Sequence, residues 1–204
     1  KSMALASLDV LCKKVLLLVQ EAGDGKKDAG ALHAQLFSIR NVLDSAERVV
    51  ISKSQPVCEE ALNAVLRSKI EMGPPLCSLV ARCFASAFNN GDSRNLYSTL
   101  SDLQSLPTAR GTQLSTRVCA VTTLGVMGRD LGPRLSSDLG GTVEMCAKLI
   151  KASSQPALRQ ACVVSLGQVV EGAEDEGCAA HVEVAKALGR AMGDRVVEVR
   201  VCVP

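Results

Sequence analysis

The 204-residue chain carries 23 Lys and Arg against 21 Asp and Glu, a formal net charge of +2 mixed along its length, with 47% hydrophobic and only 2% aromatic residues. So weak a field, and so few aromatic platforms for base stacking, argue against nucleic acid as a partner, while the apolar content is that of a folded chain with a sizeable core. The longest apolar runs, such as 15–19, fall far short of the roughly 20 residues that span a bilayer, and Asp9 with Lys13-Lys14 interrupts any leader-like apolar core.

Along the chain, apolar residues recur at spacings of three and four, the period of amphipathic helices, with punctuation between the runs. The first run covers 3–21 and stops at Gly23-Asp24-Gly25; the second, 29–51, is closed by Ser52 to Gln55. A third, 56–71, opens on Pro56, since a proline at the first helical position loses only an amide hydrogen that has no helical acceptor. Helices are then expected over 75–90, behind Gly73-Pro74, and over 93–105, behind Gly91-Asp92. Pro107 to Gly111 precedes 112–130, Gly132-Pro133 precedes 135–152, and Ser153 to Gln155 precedes 156–171. Gly172 to Gly177 leads into 177–192, and Gly193-Asp194 into a last helix from 195 onward.

With no Trp, one Tyr (Tyr97) and three Phe (Phe37, Phe84, Phe88), the core must be built of Leu, Val, Ala and Cys, which suits helices packed closely through small side chains. The Thr- and aromatic-rich runs of sandwiches and barrels are missing. Nine cysteines, an odd number, lie within the helical stretches as Cys12, Cys58, Cys77, Cys83, Cys119, Cys146, Cys162, Cys178 and Cys202. Disulfide scaffolds are loop-rich and even in count, so these read as reduced thiols serving as small hydrophobes in a cytoplasmic protein.

Helix pairs with short turns invite a search for repeats. Arg117-Val118-Cys119-Ala120, Arg159-Gln160-Ala161-Cys162 and Arg200-Val201-Cys202-Val203 align, spaced by 42 and 41 residues, and Leu124-Gly125 and Leu166-Gly167 follow the first two in register. Arg82-Cys83-Phe84-Ala85 is a looser copy 35 residues ahead of Arg117. A period near 40 with two helices per unit is that of HEAT and armadillo repeats. The run from Asp194 to Arg200 resembles the HEAT turn and second-helix start, where the aspartate caps the helix. The expected fold is therefore all-α: an α-solenoid of antiparallel helix pairs, HEAT/armadillo-like, with about ten helices. It should be one continuous stack over 1–204, with 1–55 as leading helices and 56–204 as repeats, the last truncated. The absence of an initiating Met and the end inside a helical pattern read as a fragment of a longer chain. Arg82, Arg117, Arg159, Asp194 and Arg200 are the repeat-marking residues. Their expected role is structural, the arginine stem lying along the helix interface and the guanidinium reaching the adjoining repeat. A ladder of arginines that binds an acidic segment is the alternative.

One stretch is more specific. Gly73-Pro74-Pro75-Leu76, Leu79 to Phe84, Phe88, Gly91-Asp92-Ser93 and Leu96 to Leu100, with Arg117 to Ala120, Gly128 to Gly132 and Asp194 to Cys202, resemble the amino-terminal region of HEAT-repeat-containing protein family five, the group of large clathrin-adaptor accessory and Sweetie-like solenoids. The resemblance covers about two thirds of the chain and is weakest over 1–55. It implies a non-enzymatic trafficking scaffold between the trans-Golgi network and endosomes, partnered by the clathrin adaptor and its accessory proteins, and peripheral at those membranes. The alternative is a regulatory-subunit or transport-receptor solenoid holding an enzyme or cargo. No cofactor, metal or catalytic residue is implied.

The residues themselves offer little chemistry. Cys178 and His181 are half of a zinc spacing that nothing completes. Gly23 to Lys27 lacks the first glycine and the Ser or Thr of a phosphate loop and follows a helix instead of a strand. No nucleophile elbow occurs, and the acidic run Glu171 to Gly177 reads as a solvated loop.

Overall fold

Helices form wherever leucine, valine, alanine and cysteine recur on one face, and the computed structural model describes them over residues 2–23, 28–135, 138–173 and 179–203. In order they are α1 (Ser2–Gly23), α2 (Ala29–Ser45), α3 (Arg48–Leu66), α4 (Pro74–Asn90), α5 (Leu96–Ser105), α6 (Leu114–Leu135), α7 (Leu139–Ala152), α8 (Pro156–Gly172), α9 (Ala179–Ala191) and α10 (Val197–Arg200). There is no strand among the described residues. The chain is an all-α solenoid of helix pairs, and its helices gather into two compact units, Lys1–Leu96 and Tyr97–Pro204.

In the first unit α1 packs on its pair-mate α2 and also on α3, while α2 packs on α4 and α3 on α4. Each helix thus touches its partner and its counterpart in the next pair, which is how a solenoid builds a continuous core from units too small to bury their own apolar faces. Asp28 caps α2 by accepting from the Ala31 amide at 2.8 Å. The core is mostly aliphatic, with Leu32, Leu36, Ile39, Leu43, Ile51, Leu62 and Leu66 fully buried along with Phe84 and Phe88 of α4.

The second unit repeats the scheme. The even-numbered helices α6, α8 and α10 make one layer, α8 contacting both others, and α7 with α9 makes the opposite layer. Gln104 of α5 joins that odd-numbered layer, donating to Thr142 Oγ1 of α7 at 3.0 Å and to the Asp138 carbonyl at 3.3 Å. The α6–α8 contact is made by glycines: a Cβ at Gly128 would meet the Val169 side chain at 2.7 Å, and one at Gly132 or Gly172 would collide with the backbone of the other helix. Ser165 donates across the same crossing to the Val121 carbonyl at 2.8 Å.

Two boundaries depart from the sequence reading. The break between α2 and α3 falls at Ala46 and Glu47, both extended, instead of at 52–55, and α3 runs through Pro56. Ser54 and Gln55, polar enough to read as loop, are buried in register with Val50, Ile51, Cys58 and Leu62. Burying that stripe outweighs an interior proline's cost of about 3 kcal/mol, and Pro56 itself stays exposed. Similarly α6 continues through Gly132-Pro133 to Leu135, because Gly132 is needed inside the crossing with α8 and Leu135 is fully buried.

All eight cysteines in the described residues are free, seven of them buried and Cys202 half-buried, while Cys178 lies outside those residues. The Cys58 thiol sits against Cys12, and that of Cys162 against Cys146; thiol–thiol hydrogen bonding and burial hold both well above the ordinary thiol range. Burial pushes Cys83 up to about 12, and such thiols are poor nucleophiles. No described helix is long and apolar enough to cross a membrane.

Candidate functional site

Arg117, Arg159 and Arg200 are each the fourth residue of an even-numbered helix, α6, α8 and α10. In that position a guanidinium can fold back over the turn leading into its own helix, and all three do so. Arg117 Nη2 donates to the Ala109 carbonyl at 2.9 Å, Arg159 Nη1 to the Ser153 carbonyl at 2.9 Å, and Arg200 Nη1 to the Asp194 carbonyl at 2.6 Å. Arg159 alone also reaches forward into the next repeat, where its Nε and Nη2 grip the two Asp194 carboxylate oxygens at 2.7 and 2.8 Å. Both side chains are about nine-tenths shielded, at 12% and 10% exposure. The guanidinium, helped by the Val196 amide that donates to Oδ1 at 2.9 Å, holds the Asp194 carboxyl at about 2, and the same pairing raises Arg159. Asp194 stands two residues before Val196, the N-cap of α10, and bonds that residue's amide.

The turn before α8 has the same form with a different side chain. Ser153 Oγ accepts from the Gln155 amide at 3.2 Å, just as Asp194 accepts from Val196, and its carbonyl takes the Arg159 bond as that of Asp194 takes the Arg200 bond. Serine offers no carboxylate, and the buried Nε of Arg117 has no partner among the described residues. Arg82 stands apart. It is the ninth residue of α4 and exposed, so the looser copy of the repeat does not place its arginine at a turn.

The first unit holds a polar cavity of about 140 Å³ lined by Ser52, Gln55, Pro56, Glu59, Asp92, Arg94 and Asn95. Gln55 organises it. Its Nε2 donates to Glu59 Oε1 at 2.9 Å and to the Asp92 carbonyl at 2.6 Å, and its Oε1 accepts from the Asp92 amide at 2.5 Å, so both amide hydrogens and one of the two carbonyl lone pairs are used. Asn95 Nδ2 donates to Glu59 Oε2 at 3.1 Å. Gly91 lets the α4–α5 turn close onto α3, for a Cβ there would strike Gln55 Oε1 and the Ala87 carbonyl. At the rim Arg94, 87% exposed, pairs with Asp92 at 2.7 Å and holds that carboxyl below its usual range.

Sequence reasoning missed this cluster because Ser52 to Gln55 reads as a separator. The available signal was Gln55 and Glu59 one helical turn apart on a stripe whose spacing continues through Pro56. Of the two histidines, His33 is exposed and His181 half-buried. Cys178, residues 24–27 of the glycine-lysine loop and residues 174–177 of the acidic run lie outside the described residues. Among the described residues no three His, Cys, Asp or Glu stand where they could hold a metal ion.

No family model matches the chain, and no solved structure matches it. It is similar to the protein SWEETIE of Arabidopsis thaliana, with 25% identity over 169 residues, 82% of this chain. That stretch is 8% of the plant protein's length, so the chain spans a small fraction of the curated relative it matches.

Proposed function

We propose that the chain is part of a HEAT-like, non-enzymatic protein-binding scaffold serving clathrin-adaptor-linked vesicle traffic between the trans-Golgi network and endosomes, at the cytoplasmic face of those membranes. The supporting observation is the two-layer stacking of helix pairs, α1 on α3 and α2 on α4, α6 on α8 and α7 on α9. Stacking of this kind builds a core within each unit and leaves helix ridges for partners. Similarity to SWEETIE over most of the chain supports a HEAT-like solenoid. The adaptor link rests on the motif resemblance around Gly73 to Leu100. The immobilised chain, exposed to cytosol and to purified clathrin adaptor, should retain the adaptor and its accessory proteins. Retention of a phosphatase core or a nuclear-transport factor in their place would move the reading to a regulatory or transport-receptor solenoid.

A further inference from the structure

The Glu59 carboxylate is unusual in this chain: only 8% of the residue is exposed, it faces a cavity, and no cation in the described residues is paired with it. Burying a carboxylate is costly unless its lone pairs are met. An ionised carboxylate offers about four acceptor sites. Gln55 fills one on Oε1 and Asn95 one on Oε2, so each oxygen keeps acceptor capacity. The orientation is fixed, because the Gln55 amide is locked on both sides by the Asp92 backbone.

A second acceptor lies in the same wall. Pro56 has no N–H, so it cannot supply the helical bond to the Ser52 carbonyl four residues earlier, and both residues line the cavity. The charge balance favours a cation, since Arg94 is engaged with Asp92 at the rim and Glu59 remains uncompensated.

From the buried Glu59 carboxylate that no cation meets, the acceptor capacity left on both its oxygens, the neighbouring Ser52 carbonyl and the size of the cavity, we infer that this cavity receives the guanidinium of an arginine presented by a partner polypeptide. A planar fork with five donors can meet both carboxylate oxygens and an extra carbonyl at once, whereas an ammonium meets them as a point charge. The inference deepens the scaffold reading and rests on it only in taking the ligand to be part of a protein.

The test uses the isotope-labelled 204-residue chain and three small probes, the Nα-acetyl methylamides of arginine, lysine and citrulline, followed by nuclear magnetic resonance. Arginine should shift the Asp92 amide and the Gln55 and Asn95 side-chain amides in a saturable way. Citrulline, isosteric but uncharged, should bind at least about tenfold more weakly, as loss of charge-assisted bonds requires, and lysine should fall between. Glu59→Gln should abolish the arginine shifts, and Ser52→Tyr, which fills the mouth without touching Glu59, should do the same even if Glu59→Gln does not fold. Non-saturable shifts, equal binding of citrulline or lysine, or arginine binding retained by Ser52→Tyr would overturn the assignment. Because no adaptor is present, lost adaptor retention with arginine binding intact would fault the trafficking reading alone, and the converse would fault the cavity alone.

Discussion

Replacing Arg159 with Ala removes three hydrogen bonds, two to Asp194 and one to the Ser153 carbonyl. It also strands a carboxylate that is only 10% exposed, with the Val196 amide as its remaining donor. Bonds to charged groups contribute about 1.5 to 3 kcal/mol, and stripping one partner from a fully buried pair costs about 3 to 5 kcal/mol. This pair lies at the edge of a turn with some access to water, so the expected loss is about 2 to 3 kcal/mol. For a chain of this size that corresponds to a midpoint lower by roughly 4 to 12 °C. Thermal unfolding followed by circular dichroism reads it, and a double-mutant cycle with Asp194→Ala isolates the pair. The double mutant should lose little more than either single mutant, with a coupling above about 1 kcal/mol, well beyond the few tenths seen for independent sites. Additive losses, or a shift under about 2 °C, would refute the view that the ion pair fastens successive repeats.

The same carboxylate sets a pH dependence. Its folded pKa of about 2 lies below the ordinary aspartate value, so the stabilisation is fully present above about pH 5 and is lost as the pH falls towards 2; Asp194→Asn should flatten that part of an acid titration. Ser153→Asp should give Arg117 Nε the carboxylate that Arg159 already has, raising stability by about 1 kcal/mol, and an unchanged midpoint would show that the two turns are not equivalent. Gly132→Val forces a branched side chain into the Gly172 backbone and should cost about 3 kcal/mol or more, read as a lower urea midpoint with an unchanged slope. In thiol titration all nine cysteines should react under denaturation, while in the folded chain Cys202 should react before the seven buried ones; two or more native disulfides would contradict the free thiols.

The helices were legible in the sequence because their apolar spacing is regular and their breaks carry Gly, Pro, Asp or Ser. Boundaries at Gly73, Gly91 and Ser153 fall where that chemistry puts them. Failures occurred where a breaker sits inside a helix for a tertiary reason. Pro56 is tolerated because Ser54, Gln55 and Cys58 continue a buried stripe, and Gly132 is kept because another helix passes within backbone contact. Neither reason is visible without the partner helix. The recurrence of Arg117, Arg159 and Arg200 was plain from spacing, but the pairing of Arg159 with Asp194 depends on which turn lies over which helix. The cavity was hidden further, since it joins residues 52–59 with 91–95 through side-chain amides that carry no sequence period.

The glycine crossing of α6 and α8 has a mechanical consequence. Where Gly128, Gly132 and Gly172 bring the two helices into backbone contact, there is no cushion of side chains whose rotamers could readjust. Packed backbones resist shear far more than interdigitated leucines do, because displacement meets repulsion at once. The junction of α8 with α10 is fastened by an ion pair, which can lengthen, hydrate and re-form. If the second unit is flexed by a load, the α6–α8 segment should therefore act as a stiff plate, with compliance concentrated at the turn that carries Asp194, where acid and salt set the stiffness.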